Sequence, residues 1–162
     1  GLLYAMFERL DAWTPFRGPG HFPDADMLPI GEVEFGRKTN FTKDEQYTLM
    51  SLWAIGRSPL IFGGDMTKLD AFTKEMLTNP EMLKVNQEST NNRQVSRDKN
   101  LIVWTADIPN SNDKYVDKEE DYLFNVLDPI FRSSDCSWMI FSENKLTHID
   151  KNIFDEPCSL TY

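Results

Sequence analysis

The sequence is poor in cysteine and histidine, the side chains that most often bind zinc or carry thiol redox chemistry. Its 162 residues include 2 cysteines and 2 histidines. Cys136 and Cys158 can form one disulfide in an oxidising compartment or remain as two thiols, and the sequence leaves both possibilities open. Two cysteines are too few for a zinc site without other ligands, and His148 is the only histidine near them.

Basic residues and long apolar runs are also scarce. There are 17 Lys and Arg residues against 26 Asp and Glu, which gives a net charge of -9. This balance argues against a nucleic-acid partner, because phosphate contacts need a basic face. No run of 18 apolar residues occurs, so the sequence predicts no transmembrane helix. The 40% hydrophobic content indicates a globular chain of one domain or two small ones, and the acidity suits a neutral substrate.

The opening residues GLLYAMFERL lack a starting Met, a signal-peptide cleavage site and a helix N-cap. They have the pattern of a helix already under way. We expect the chain to be an internal piece of a longer protein, and its missing signal then says nothing about where the protein resides.

Three helices are predicted from apolar spacing and from helix-end signals. The first lies in LLYAMFERLDAWTPF and ends at Pro15. The second lies in FTKDEQYTLMSLWAIGRS, where Thr42 and Glu45 have the capping-box spacing. Asp70 is the predicted N-cap of the third helix, which restarts at Pro80, a favoured first-turn residue.

Between these helices two extended segments are predicted. A turn at RGPG leads into a short strand and a loop near PDADML, and PLIFGG has the pattern of a strand buried on both faces of a parallel sheet. Residues 1 to 87 therefore alternate between helix and strand, as in an α/β fold.

After about residue 92 the pattern becomes β-rich. QVSR and LIVWTAD are predicted to form a hairpin around Asp98–Asn100, and YLFNVLD and CSWMIFS to form further strands. The acidic run 117–121, DKEED, is predicted to be a solvated loop. We place the division between two domains at 1–90 and 91–162.

The segment GHFPDADMLPIG, residues 20–31, sets two carboxylates among apolar residues and prolines. In an extended segment Asp24 and Asp26 point to the same side. Such a pair could bind a metal, share a proton or hold sugar hydroxyls, or one acid could cap a turn or pair with Arg17. It cannot easily act as both carboxyls of a glycosidase, because those lie about 5–5.5 Å or 6.5–9.5 Å apart on opposite sides of the bond.

Three segments together reduce the number of possible roles for Asp24 and Asp26. GPGHFPDADMLPIG, LMSLWAIGRSPLIFGGD and LTNPEMLKVNQ occur in this order and resemble glycoside hydrolase family 27, the α-galactosidases and their relatives. The resemblance covers roughly residues 1 to 107. It implies the C-terminal part of a (β/α)8 barrel followed by a small antiparallel β-sandwich domain, with PDADML at the end of the seventh strand and PLIFGGD as the eighth.

The resemblance also implies roles for individual residues. Asp26 would accept hydrogen bonds from galactose hydroxyls, Met27 would line the sugar pocket, and Asp24 would support them. Phe22 stands where the family usually has Trp, so the aromatic ring is kept and the indole N–H is lost. Neither catalytic aspartate of the family is matched in this chain, and both are expected upstream.

The activity implied is hydrolysis of terminal α-linked galactose without a metal or organic cofactor, on a galactoside or oligosaccharide substrate and with no membrane or nucleic-acid partner. The missing N-terminal part of the barrel would be the partner of this chain. α-N-acetylgalactosaminidase or β-L-arabinopyranosidase activity is the alternative within the enzymes, and a non-catalytic carbohydrate-binding or structural module is the alternative outside them. A secreted, periplasmic or lysosomal location would fit the family.

Other conspicuous residues have plainer interpretations. Trp53 and Trp104 are predicted to be core residues rather than sugar platforms, and His21 to pack or hydrogen-bond behind the pocket. Gly63 and Gly64 are expected to serve a strand end rather than a phosphate site. Outside a complete barrel, the apolar residues of the second helix and of PLIFGG are expected to lack packing partners.

Overall fold

A computed structural model describes residues 2–34, 36–97, 101–112, 114–120, 128–132, 138–142 and 145–149. Four α-helices come first: α1 (Leu2–Trp13), α2 (Lys43–Gly56), α3 (Ala71–Leu77) and α4 (Pro80–Glu88). A two-stranded hairpin of β1 (Glu32–Glu34) and β2 (Arg37–Lys38) lies between the first two helices. No helix in this part of the chain has the length and apolarity needed to cross a membrane.

Six strands follow the helices and pair in chain order as an antiparallel meander. They are β3 (Thr90–Arg97), β4 (Leu101–Asp107), β5 (Lys114–Glu120), β6 (Asp128–Arg132), β7 (Trp138–Ser142) and β8 (Lys145–Ile149). The predicted hairpin is confirmed as β3 and β4, and CSWMIFS contains β7. Within the described residues these strands form one sheet, so the sandwich stays a prediction.

The helix ends follow the local signals in the sequence. The Thr42 hydroxyl accepts from the Glu45 N–H while the Glu45 carboxylate accepts from the Thr42 N–H, which confirms the capping box. The Asp70 carboxylate accepts from the Thr73 N–H at 2.7 Å, and Pro80 occupies the first turn of α4. These predictions succeeded because a cap is formed by residues only two or three positions apart.

Helix α2 is the centre of the described core. Its residues from Thr48 to Gly56 are all buried, as expected for a helix covered on every side. The buried cluster contains residues from α1, α2, α4, β4 and β5, including Phe7, Leu52, Trp53, Trp104 and Tyr115. Trp53 and Trp104 are thus core residues as predicted. The expectation that α2 would lack packing partners is wrong, because the helices and the sheet cover it.

The two predicted barrel segments lie side by side and parallel, but neither is a regular strand. Their pairing is a single bridge between Leu28 and Phe62, in which the Leu28 N–H donates to the Ile61 carbonyl at 2.7 Å and the Gly63 N–H to the Leu28 carbonyl at 2.9 Å. Pro23 and Pro29 shorten the ladder because they have no N–H to donate. The prediction that PLIFGG is buried on both faces is wrong for Ile61, which is 47% exposed.

The acidic run was predicted incorrectly. Residues 117 to 120 belong to β5 and pair with β4 from Leu101↔Glu120 to Asp107↔Lys114. Charge composition predicts solvation of side chains, whereas strand formation here follows from backbone pairing with two neighbours. Most of YLFNVLD and both cysteines, Cys136 and Cys158, lie outside the described residues.

We predict that Gly64→Ala destabilises the fold. A Cβ atom at Gly64 would lie 2.5 Å from Phe62 Cζ, 2.7 Å from the Glu32 carbonyl oxygen and 2.8 Å from that of Ile30. Two of these atoms are backbone, so relief requires movement of the chain, at a cost of about 1–3 kcal/mol. The free energy of unfolding, measured with denaturant, checks this. Gly18→Ala, which meets nothing within 4 Å, is the matched control; equal stability of the two variants would contradict the prediction.

Candidate functional site

The segment Pro23–Met27 presents its side chains alternately. Pro23 and Ala25 are buried, while Asp24 and Asp26 are exposed. The two carboxylates therefore lie on the accessible side, as the extended spacing predicts. Phe22 and Met27, which complete the predicted sugar-binding set, are 61% and 52% exposed.

Asp26 has a backbone conformation that is unusual for a residue with a side chain. Its φ is +74°, in the left-handed region that glycine favours and that Asp tolerates better than most residues. The Asp24 Oδ1 accepts from the Asp26 N–H at 2.9 Å, and the Asp26 Oδ1 accepts from the Met27 N–H at 2.7 Å. The other carboxylate oxygen of Asp26 has no hydrogen-bond partner among the described residues and is free to accept from a ligand.

Two side chains from α2 and the residues after it hold this segment in place. The Trp53 indole N–H donates to the Asp26 carbonyl at 2.8 Å, and the Ser58 hydroxyl accepts from the Ala25 N–H at 2.9 Å. Trp53 is 3% exposed and Ser58 is fully buried. Since both anchors are buried, they fix the backbone that carries the two exposed carboxylates.

The third segment of the resemblance, which ends in α4, connects to the same place. The Asn86 amide donates to the carbonyls of Trp53 at 3.3 Å and Ser58 at 2.8 Å. In return, the Arg57 guanidinium donates to the carbonyls of Asn86, Gln87 and Ser89. The three segments on which the resemblance rests therefore meet at the carboxyl end of α2.

Arg17 does not pair with Asp24 or Asp26, so the interpretation that one of these acids forms an ion pair with Arg17 is wrong. Its guanidinium donates to the carbonyls of Gly56 at 3.3 Å and of Asn92. Burial lowers the pKa of Arg17, and the neighbouring positive charge of Arg57 lowers it further. Arg17 thus serves the end of α2, where its charge also complements the helix dipole.

A cavity of about 970 Å³ lies beside this network but does not coincide with the predicted sugar site. Its lining contains Arg17, His21, Phe22, Arg57 and Asn92 and omits Asp24, Asp26 and Met27. We place the candidate site at the exposed carboxylates, because the cavity arginines already donate to backbone carbonyls. His21 is exposed and hydrogen-bonds the Pro19 carbonyl at 3.1 Å.

The glycines after the second parallel segment have a packing role. A Cβ at Gly63 would approach Met27 Cβ at 3.0 Å and the Leu28 carbonyl oxygen at 3.1 Å. These glycines permit close approach of the two segments, in agreement with the prediction that they serve a strand end.

Helices, parallel segments and an exposed carboxylate pair on a rigid backbone are compatible with a sugar-binding hydrolase. The family described as Alpha galactosidase A, Melibiase_2, matches residues 2–88. The chain therefore belongs to this family, the α-galactosidase-like glycoside hydrolases of family 27.

Individual relatives agree with this assignment. An α-galactosidase from Oryza sativa subsp. japonica is 30% identical over 68% of this chain and 26% of its own length. The human α-N-acetylgalactosaminidase is 34% identical over 62% of this chain and 24% of its own. A family 27 β-L-arabinopyranosidase from Geobacillus stearothermophilus, solved in complex with arabinose, is 44% identical with a TM-score of 0.69, covering 72% of this chain and 29% of that one. The chain thus spans about a quarter of the length of the curated relatives it matches.

We predict that Arg57→Lys lowers the stability of the fold by weakening the hydrogen bonds between the end of α2 and the end of α4. Arg57 donates to three carbonyls at 2.7 to 3.1 Å, and a lysine ammonium cannot reproduce this fork. The loss in unfolding free energy should be about 1–3 kcal/mol, measured by denaturant titration. Arg37→Lys, in an exposed ion pair with Glu34, is the control and should change stability little. A similar small change for both variants would show that the network is dispensable.

Proposed function

We propose that this chain supplies part of the sugar pocket of a retaining glycoside hydrolase that removes a terminal α-linked galactose. The single observation that carries the proposal is Asp26: an exposed carboxylate on a backbone that buried residues hold, inside a segment of the matched family region. A carboxylate is suited to grip two vicinal hydroxyls, because hydrogen bonds to a charged acceptor are about twice as strong as neutral ones. Met27, 52% exposed at the next position, would pack on the apolar side of the sugar.

The chemistry of retaining glycosidases separates the sugar-binding carboxylates from the catalytic ones. A retaining glycosidase needs a carboxylate nucleophile and a separate acid/base about 5–5.5 Å away across the bond. Asp24 and Asp26 are neighbours on one segment, and each gives one carboxylate oxygen to a local backbone N–H group. We therefore assign Asp26 to sugar binding with Asp24 in support of it, and assign the nucleophile and the acid/base to aspartates in the part of the barrel that this chain does not include.

The first test is Asp26→Ala and Asp26→Asn in the natural protein that contains this chain. Both changes remove the charged acceptor, and kcat/KM for p-nitrophenyl α-galactoside should fall roughly 10- to 1000-fold, about 1.4–4 kcal/mol of transition-state binding. Glu75→Gln, an exposed carboxylate on α3, is the control and should retain activity. Normal kinetics in well-folded Asp26→Ala would overturn the sugar-pocket assignment.

β-L-Arabinopyranosidase and α-N-acetylgalactosaminidase activity are the other candidates. A solved β-L-arabinopyranosidase and a solved structure named as a putative α-N-acetylgalactosaminidase each share 44% identity with this chain, against 30% for the α-galactosidase from Oryza. The kcat/KM values for p-nitrophenyl α-galactoside, p-nitrophenyl β-L-arabinopyranoside and p-nitrophenyl α-N-acetylgalactosaminide distinguish the three activities. No turnover of any of them by the natural protein would favour a non-catalytic carbohydrate-binding module.

A further inference from the structure

The backbone of Asp26 is hydrogen-bonded on both sides of its Cα atom, by the exposed side chain of Asp24 and by the buried side chain of Trp53. Asp24 Oδ1 accepts from the Asp26 N–H at 2.9 Å, and the Trp53 indole donates to the Asp26 carbonyl at 2.8 Å. These two bonds act on the two peptide groups that flank the Asp26 Cα. Together they restrain the φ and ψ angles that aim its carboxylate.

The two hydrogen bonds are needed to hold Asp26 in its left-handed backbone conformation, because that conformation is higher in free energy than an extended one. A residue other than glycine at a φ of +74° is held in a sparsely populated region and persists when its surroundings over-determine it. Released from either bond, Asp26 can relax toward ordinary extended geometry, and its carboxylate then turns away from its present direction. Ser58 accepts from the adjacent Ala25 N–H and holds it in place. The change in backbone angles would therefore occur mainly at Asp26.

We propose that Trp53 and Asp24 are positioning residues for the Asp26 carboxylate: they hold it in a left-handed backbone conformation and act on the sugar only through it. The proposal rests on the proposed function of Asp26. It assigns to the buried Trp53 a specific task for its N–H beyond packing, and it assigns the Asp24 carboxylate to the backbone rather than to the ligand.

The tryptophan arm of the test uses Trp53→Phe, which keeps a large aromatic ring and removes the N–H donor. In the natural protein we expect kcat/KM for the preferred p-nitrophenyl glycoside to fall roughly three- to thirty-fold, mainly through KM. Trp104→Phe is the matched control, because Trp104 is equally buried and its indole N–H has no hydrogen-bond partner among the described residues. Its kinetics should remain normal even if its thermal stability falls as much.

The aspartate arm uses a conservative rescue. Asp24→Asn keeps an oxygen acceptor for the Asp26 N–H and should keep most of the activity, whereas Asp24→Ala should raise KM about as much as Trp53→Phe. If Asp24 bound the sugar through its charge, Asp24→Asn and Asp24→Ala would be equally impaired, and the proposal would be overturned.

The outcomes also distinguish the positioning role of Trp53 and Asp24 from the sugar-binding role of Asp26. If Asp26→Ala is impaired while Trp53→Phe and Asp24→Ala have normal KM, Asp26 binds sugar and the positioning role is wrong. If Asp26→Ala itself is normal, the proposed function fails and the positioning role fails with it. A KM that rises in Trp53→Phe and Asp24→Ala but not in Trp104→Phe or Asp24→Asn supports the proposal.

Discussion

The carboxyl end of α2 is the constraint on which the rest of the described structure depends. A helix end leaves carbonyls without partners, and a buried end must find donors elsewhere. Here the carbonyls of Trp53, Ile55 and Gly56 receive donors from Asn86, Asn92 and Arg17. Because those donors come from α4, β3 and the turn after α1, satisfying one helix end fixes the relative placement of helices and sheet.

The candidate sugar site depends on this same helix end. The residue that offers its carbonyl to Asn86, Trp53, offers its indole N–H to Asp26. Ser58 likewise joins Asn86 through its carbonyl and Ala25 through its hydroxyl. The exposed carboxylates are therefore connected to the core by short paths of partly or fully buried hydrogen bonds, and such support can fix the direction of an exposed group.

What could be predicted from the sequence was local. The caps at Thr42, Asp70 and Pro80 and the β3–β4 hairpin involve residues close in the chain, and their signals are readable without a structure. Arg17 and Asn92 could not be assigned in this way, since they are 75 residues apart and a single Arg or Asn carries no periodic signal. The β5 strand was missed for a related reason, because its partners β4 and β6 decide its conformation more than its own acidic composition does.

The candidate site residues could be proposed by resemblance, whereas their geometry could not be predicted. An alternating D-x-D pattern predicts that both acids face the same side, and both are exposed. The pattern cannot predict that one acid holds the backbone of the other, nor that Asp26 has a positive φ. The backbone of the segment is also held by anchors at Trp53 and Ser58, about 30 residues away in sequence, which no local pattern can indicate. A motif that looks like two equivalent carboxylates is therefore physically asymmetric: the Asp24 carboxylate accepts from the backbone N–H of Asp26, and the backbone of Asp26 is fixed at both of its peptide groups.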